Sequence, residues 1–326
     1  MAIDPVVLAS YDRTGFVEGV HLGHAVVLDP GGEVARAWGD PGLELMARSS
    51  AKPMQATAMV RLGLDLPDDL CALAASSHSG EAMHRDGVLR ILAGAGLTAG
   101  ALQTPADLPL DPVARDAWVQ GGHRATPLAM NCSGKHAAML ATCVVRGWSV
   151  GDYRDPEHPL QQAILAEVRR LTGDPITRVG VDGCGAPVHV MTLRGLARSL
   201  THAVTAPADA PERRVVDAMR AHPQLVGGSR RDVTELMQAV PGLVAKDGAE
   251  GVFVGALADG RSFAVKVLDG SGRARQVAVA AIVQWLDPPG ADHRRLSALA
   301  SIATLGGGRP VGAVRSPLAS APAGPA

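Results

Sequence analysis

A serine and a lysine three positions apart are the first candidates for covalent chemistry in this sequence. Ser49 and Lys52 lie in the segment Arg-Ser-Ser-Ala-Lys-Pro at 48–53, which follows a turn-rich loop and opens an apolar helix. Three-residue spacing places both side chains on one helical face, where a neutral lysine amine could take the serine proton and create a nucleophile. The helix N-terminus would supply backbone N–H groups for a developing oxyanion. The alternative is a serine that caps the helix and a solvated lysine.

A second polar cluster comes directly after an apolar segment. Residues 76–81 read Ser-Ser-His-Ser-Gly-Glu. Hydroxyls and an imidazole that enter a loop together are typical of an active-site rim, which makes Ser77 and His78 candidate substrate contacts. The alternative is an N-terminal cap, in which Ser79 starts the next helix and Glu81 lies in its first turn.

Lys266 is a third candidate, because it lies between apolar neighbours on a late strand. In penicillin-recognising enzymes a late-strand lysine within Lys-Thr-Gly faces a Ser-x-x-Lys nucleophile. Here Lys266 is followed by Val-Leu-Asp-Gly, so that triad is absent. An outward-facing strand lysine is the alternative.

Two cysteines lie in polar, glycine-containing loops. Cys132 belongs to Asn-Cys-Ser-Gly-Lys-His at 131–136, and Cys184 to Asp-Gly-Cys-Gly-Ala-Pro at 182–187. The Ser-Gly-Lys piece is not a phosphate-binding loop, because Ala129 replaces the required glycine and a histidine replaces the final Ser or Thr. The chain has no Cys-x-x-Cys and no paired histidines, so spacing alone favours two buried cysteines over soft metal ligands.

These candidates need elements that bring them together, and the hydrophobic periodicity predicts an α+β fold. Short alternating segments near both chain ends predict the strands Val6–Ser10, His24–Leu28, Val252–Leu257 and Phe263–Leu268. Amphipathic segments predict the helices Met54–Leu62, Arg85–Ala95, Lys135–Val145, Leu160–Leu171, Glu212–Ala221 and Gln276–Leu286. We therefore expect a single catalytic domain over residues 1–308. It would have an antiparallel sheet lobe from about 1–48 and 245–305, a helical lobe from about 49–244, and a flexible Pro/Ala/Gly/Ser-rich tail at 309–326.

Composition excludes several classes of protein. With 326 residues and 47% hydrophobic content, the chain can bury a sizeable core. Its 32 acidic and 31 basic residues nearly balance, and no basic stripe indicates a nucleic-acid partner. No apolar run reaches the length of a membrane span. Four scattered cysteines without an export signal predict reduced thiols in a cytoplasmic protein.

Taken together, five segments resemble the Rhizobium-type (class 3) L-asparaginases, also called the asparaginase II family. They occur in order between about residues 10 and 305: 48–53, 76–81, 131–136, 182–187 and Lys-Asp-Gly-Ala-Glu-Gly at 246–251. The resemblance implies a fold related to serine β-lactamases and glutaminases, and a homodimer. It also implies release of ammonia from L-asparagine through an acyl-enzyme intermediate.

The resemblance further implies two Ser–Lys tandems and a zinc ion. The first tandem falls on Ser49 and Lys52, and the second on Lys266 with Ser79, or with Ser77 as the alternative serine. The zinc ligands fall on Cys132, Lys135 and Cys184, with Asp182 and His136 close by, and the ion is expected to tune substrate binding.

A free amino acid also needs a cation for its α-carboxylate and an acid for its ammonium group. Arg48 is the candidate cation, and Glu81 or Asp182 the candidate acid, although a rim salt bridge would explain these residues equally well. Two other activities compete with the asparaginase. One is glutaminase or β-lactamase-like hydrolysis at the same site, and the other is zinc-dependent amino-acid sensing without turnover.

Overall fold

The computed structural model describes residues 4–320 and contains one large antiparallel sheet and one small one. The strands are β1 (Val6–Arg13), β2 (Phe16–Leu28), β3 (Val34–Trp38), β4 (Glu44–Met46), β5 (Val179–Val181), β6 (Pro187–Thr192), β7 (Val244–Asp247), β8 (Val252–Ala256), β9 (Ser262–Val267), β10 (Ser301–Gly306) and β11 (Arg309–Arg315). The large sheet has the order β10-β11-β1-β2-β9-β8-β7, and β3 also pairs with β2. The small sheet has the order β4-β6-β5.

Helices occupy most of the chain between β4 and β7. They are α1 (Lys52–Arg61), α2 (Asp68–Ala74), α3 (Ala82–Gly94), α4 (Pro112–Gln120), α5 (Ser133–Arg146), α6 (Pro159–Thr172), α7 (Leu193–Thr205), α8 (Pro211–Ala221), α9 (Pro223–Val226) and α10 (Asp232–Ala239). Two more, α11 (Gly272–Leu286) and α12 (His293–Leu299), follow the last central strand. Strands from both chain ends and helices between them confirm the predicted α+β class.

Both faces of the central strands are covered. All five residues of β8 are buried, as are all six from Gly23 to Leu28 of β2. Because neighbouring strand residues point to opposite faces, unbroken burial requires packing on both. Helices α7 and α11 both pack against β9 and its neighbours. These central strands therefore form a rigid sheet, to which the segments with the candidate site residues are attached.

Helix α1 lies at the centre of the helical part. It is buried from Lys52 to Met59 and packs against α5, α6 and α8. Pro53 stands in its first turn, where a missing N–H costs nothing and the fixed φ favours helix. A helix with so little solvent exposure holds its first residues in a fixed position.

The first part of the predicted flexible tail at 309–326 is a β-strand in the structure. Residues 309–315 form β11, which pairs with β10 on one side and with β1 on the other. Val314 and Leu318 are buried. The Gly-Gly-Gly before Arg309 is a hairpin turn, with Gly307 and Gly308 at positive φ, and does not begin a linker. Residues 321–326 of the predicted tail lie outside the described residues.

Within residues 4–320, no helix has both the length and the apolar character needed to cross a bilayer.

Candidate active site

A cavity of about 280 Å³ lies where the sheet meets the helical part of the molecule. Ser49, Ser77 and Asn131 contribute to one wall, and the β7–β8 turn from Asp247 to Gly251 contributes to another. Four of the five sequence motifs therefore reach the same cavity. Its linings also include Leu110, Gly270 and two arginines, Arg231 and Arg275.

Ser49 is held in a 3₁₀ turn, Arg48–Ala51, that runs directly into α1. Arg48 has a φ of 51°, a left-handed conformation that is uncommon for a residue with a side chain. The turn packs tightly on the β7–β8 turn, because a Cβ on Gly248 would lie 2.8 Å from Ser50 Oγ and 3.0 Å from the carbonyl oxygen of Ala47. The nucleophile candidate is thus fixed from both sides.

The Lys52 amine is buried beneath this turn. It donates to the Ser76 carbonyl oxygen at 2.6 Å and to Cys132 Sγ at 3.2 Å. Neither partner is a carboxylate. Lys52 also joins the serine turn to the cysteine cluster described below.

Lys246 is a second buried lysine at this site, and it lies at the end of β7. Its amine donates to the carbonyl oxygen of Asp247 at 2.6 Å and to Asp247 Oδ1 at 2.8 Å. Ser50 Oγ donates to its backbone carbonyl oxygen at 3.2 Å. The pKa of Lys246 is lowered to about 8, chiefly by burial; Asp247 opposes this shift, and the charges of Lys52 and Arg231 add to it. A substantial fraction of this amine is neutral near physiological pH.

Asp247 is a buried carboxylate shared by several cations. Besides Lys246, it pairs with Arg231 and lies 3.7 Å from Nη1 of Arg275. Arg275 also pairs with Asp232 at 2.5 Å. Burial alone would raise the pKa of Asp247, but the three surrounding cations outweigh it and hold that pKa well below its usual range.

The loop at 76–81 separates into residues that face the cavity and residues that hold the loop. Ser77 lines the cavity. His78 is fully buried, accepts a hydrogen bond from the Gly80 N–H at Nδ1 and therefore donates from Nε2 to Ser133 Oγ at 2.9 Å. Burial lowers the pKa of His78 well below its usual value, so the ring is a neutral structural link. We find it too enclosed to contact substrate.

Glu81 and Ser79 are turned away from the catalytic cavity. Glu81 caps α3 and accepts hydrogen bonds from the backbone N–H and the hydroxyl of Ser229, both at 2.8 Å. Ser79 Oγ is buried against Gly228 and has no hydrogen-bond partner within residues 4–320. The cap that the sequence offered as an alternative is present, with Glu81 and not Ser79 as the capping residue.

Lys266 reaches a different cavity, of about 290 Å³, together with Met46 and Leu268. Its amine donates to the carbonyl oxygen of Glu250. Arg48 and Glu250 line this second cavity as well. The structure therefore does not bring the expected Ser79 and Lys266 together. Ser77 lines the cavity that contains Ser49, and Lys246 lies next to it through its hydrogen bond to the lining residue Asp247.

The three expected metal ligands do come together. Lys135 Nζ lies 3.3 Å from Cys184 Sγ, and the side chains of Cys132 and Cys184 are hydrogen-bonded to each other. That hydrogen bond and the charge of Lys135 lower the pKa of the Cys184 thiol. No group of three or more His, Cys, Asp and Glu side chains in the described part of the chain could hold a metal ion. A metal here would need Lys135 as a ligand.

Arg48 and Asp182 are paired with each other. Arg48 Nε donates to Asp182 Oδ1 at 2.7 Å, and that oxygen also accepts from the Gly183 N–H at 2.8 Å. Arg48 lies 3.9 Å from Glu250 on its other side. The rim salt bridge that the sequence left open is therefore formed, and it connects the 3₁₀ turn to the Cys184 loop.

Sequence reasoning assigned no role to Lys246, Asp247, Arg231 or Arg275. Lys246 belonged to one of the matching segments, and the available signal was a charged Lys-Asp pair directly after the apolar Leu243-Val244-Ala245. Arg231 and Arg275 carried no signal, because each is one arginine among many in an arginine-rich chain.

A model of the L-asparaginase II family matches residues 9–316. No curated protein matches the sequence. Among solved structures, a native form of Mglu is 15% identical with a TM-score of 0.41, and the match covers 85% of this chain and 62% of that one. A β-lactamase from Mycobacterium bovis is 13% identical (TM-score 0.40; 78% and 89% covered). A putative β-lactamase from Bacteroides dorei is 14% identical (TM-score 0.41; 76% and 84% covered). Likenesses at these identities and TM-scores carry no inference about substrate.

Proposed function

Because the chain belongs to the L-asparaginase II family, we propose that it hydrolyses the side-chain amide of L-asparagine to aspartate and ammonia. The observation that carries the mechanism is the placement of Ser49 and Ser77 on one cavity beside two buried lysines, Lys52 and Lys246. Like charges close together in a buried site favour loss of a proton from one of them. Such a site holds the neutral amine that serine activation requires.

In the proposed reaction, Lys52 accepts the hydroxyl proton as Ser49 Oγ attacks the amide carbon. The tetrahedral oxyanion is stabilised by backbone N–H groups where α1 begins. The C–N bond breaks, the leaving nitrogen takes the proton back from the lysine, and ammonia departs. An aspartyl ester remains on Ser49. A water molecule then attacks the ester with the same lysine as base, which releases aspartate and restores the serine.

Ser77 and Lys246 form the second tandem in this proposal. Both lie at the catalytic cavity or directly behind it, whereas Ser79 and Lys266 are separated from it. Neutral Lys246 serves as the base for Ser77, which positions the amide and relays to the leaving nitrogen the one proton that Lys52 returns.

Zinc is proposed as the resident metal, with Cys132, Lys135 and Cys184 as its protein ligands. Two thiolates and a nitrogen suit zinc, and the sulfur and nitrogen atoms of this set already lie within contact distance. When bound, the ion would supply a fixed positive charge near the cavity. We expect purified protein to bind about one zinc per chain, and Cys184→Ala or Lys135→Met to lower the zinc content several-fold. Cys143→Ala is the matched control, because Cys143 is buried in the main core; metal analysis after dialysis gives the readout.

Ammonia release from L-asparagine, measured on purified protein, tests the function. We expect Ser49→Ala and Lys52→Met to lower kcat by at least about 1,000-fold, since each removes a part of the nucleophile. Absence of ammonia from the wild-type protein, with zinc supplied and withheld, would contradict the asparaginase. L-Glutamine, assayed in parallel, distinguishes a glutaminase.

Two matched pairs test the second tandem. Ser77→Ala and Lys246→Met should lose most activity, whereas Ser79→Ala and Lys266→Met should retain it within about tenfold. The reverse pattern would restore Ser79 and Lys266 as the tandem. We also propose a homodimer, and sedimentation velocity of the same samples measures it.

A further inference from the structure

One buried carboxylate, Asp247, is surrounded by three cations at the cavity that contains Ser49. Asp247 is shared by Lys246, Arg231 and Arg275, and only Arg275 has a further carboxylate partner, Asp232. One carboxylate shared among three cations leaves guanidinium N–H donors available for an anionic group on a ligand.

Arg231 is the arginine best placed to receive such a group. It precedes α10 and lines the cavity, with 21% of its side chain exposed. Its guanidinium donates to a single acceptor, Asp247, and Nη1 is buried without a hydrogen-bond partner within residues 4–320. A guanidinium carries five N–H donors, and leaving a buried donor unsatisfied costs free energy.

The other cations at this site are less available. Arg275 is 11% exposed, pairs with Asp232 and donates to the Gly248 carbonyl oxygen. Arg48, the candidate named from the sequence, is already engaged by Asp182 at 2.7 Å. Glu250 also lines this cavity, but it is 67% exposed and its ion-pair contact is with Arg48 at 3.9 Å, not with Arg231.

We propose that Arg231 binds the α-carboxylate of the substrate and so makes a free amino acid, rather than an asparagine within a peptide, the preferred ligand. This inference rests on the proposed function for the identity of the reacting amide. Asp247 holds the guanidinium plane from one side, which leaves the opposite edge for a carboxylate. The same contact selects against asparagine whose carboxylate is blocked.

A substrate without the carboxylate tests the role of Arg231. 3-Aminopropanamide is asparagine without its α-carboxylate, and it should be a poor substrate of the wild-type protein. We expect Arg231→Met to lower kcat/KM for L-asparagine roughly 100-fold and to leave kcat/KM for 3-aminopropanamide within about threefold. Arg231→Lys keeps the charge and should lose less. Arg230→Met is the matched control, because Arg230 pairs with Asp111 outside the cavity.

Equal losses on both substrates would overturn the inference, because Arg231 would then act only through Asp247 and Lys246. A shift in the pH dependence of the Arg231→Met rate with 3-aminopropanamide would indicate the same structural role. Calorimetric titration with L-aspartate separates the inference from the function. If the wild-type protein releases no ammonia but binds aspartate, and Arg231→Met weakens binding while Arg230→Met does not, the asparaginase fails and the carboxylate site stands. Equal aspartate affinity in wild type and Arg231→Met would overturn the site.

Discussion

Lys246 places a titrating group with a pKa of about 8 directly behind the catalytic cavity. A lysine acts as a base only when its amine is neutral, and burial raises the neutral fraction by disfavouring the charged form. The charge of Lys52 acts in the same direction, and Asp247 acts in the opposite one. The balance of these three influences determines the pH at which the second tandem becomes active.

We expect kcat for L-asparagine to rise with pH through a midpoint near 8. At pH 6, about 1% of a group with that pKa is neutral, so activity should be roughly 100-fold below its alkaline plateau. Steady-state rates between pH 5.5 and 9.5 check this. A flat profile across pH 7–9 would show that Lys246 does not titrate in the rate-limiting step.

Asp247→Asn should move the same midpoint to lower pH. The carboxylate favours the charged form of Lys246, so its removal lowers the pKa of the lysine. Asp232→Asn is the matched control, because the Asp232 carboxylate pairs with Arg275 and not with Lys246. A midpoint that moves upward in Asp247→Asn would contradict the assignment of this pH dependence to Lys246.

At the residue scale, the sequence identified some catalytic candidates and not others for a physical reason. Ser49 and Lys52 are neighbours on one local turn, so their spacing alone places them together. Ser77 and Asp247, the partner of Lys246, reach one cavity only through tertiary folding. A choice between Ser77 and Ser79 depends on loop direction, which spacing does not encode. Lys246 and Lys266 both follow apolar strand residues, and only the packed structure distinguishes the enclosed amine from the one held by Glu250.

At the scale of elements, glycines determine how closely the catalytic loops approach their neighbours. Gly80 has a φ of 74°, and a Cβ there would lie 2.8 Å from Pro109 Cα and 3.0 Å from the Ala129 carbonyl oxygen. Those contacts are backbone atoms, which have little room to move. The loop at 76–81 thus reaches its position against the Pro109 and Ala129 segments because residue 80 has no side chain.

We expect Gly80→Ala to lower the free energy of unfolding by about 3 kcal/mol and to reduce activity. About 1 kcal/mol comes from the left-handed backbone and the remainder from displaced neighbours. Gly122→Ala is the matched control: its φ is 77°, and nothing lies within 4 Å of an added Cβ. Gly122→Ala should lower the free energy of unfolding only by the strain of the left-handed backbone. Denaturant unfolding monitored by circular dichroism measures both, and equal losses would show that the close approach is unimportant.

Six helices and four strands were predicted from periodicity, and the remaining elements were missed. Each predicted helix corresponds to an observed one, with ends displaced by up to about four residues. The surface helix α4 has no buried residue, so it lacks the apolar face that periodicity detects. Strands β10 and β11 were missed because Gly306-Gly307-Gly308 and Pro310 look like linker, although they form a hairpin and an outer part of the sheet.

At the scale of the whole molecule, β11 lies inside the sheet although it comes last in the sequence. It pairs with β1 and β10, and it buries Val314. A chain that ends after Gly308 would leave the edge of β1 unpaired and remove this burial. We expect the free energy of unfolding to fall by about 5 kcal/mol, or the melting temperature by about 10 °C. A chain that ends after Ser320 should melt within about 1 °C of the full-length protein, and differential scanning calorimetry compares the two.

The pairing of β2 with β9 also determines when during synthesis the enzyme can become active. Ser50 and Lys246, which contact each other across the site, are 196 positions apart in the sequence, so the ribosome makes the nucleophile turn long before the lysine behind it. The early hairpin of β1 and β2 is only marginally stable alone, and it becomes stable when β9 and β11 pair with it. Nascent or prematurely terminated chains therefore contain Ser49 but no assembled cavity, and the proposed hydrolysis can begin only with nearly complete molecules. Sheets closed by such distant segments fold slowly, so the yield of active enzyme should depend on protection of the unfinished chain more than on its rate of synthesis.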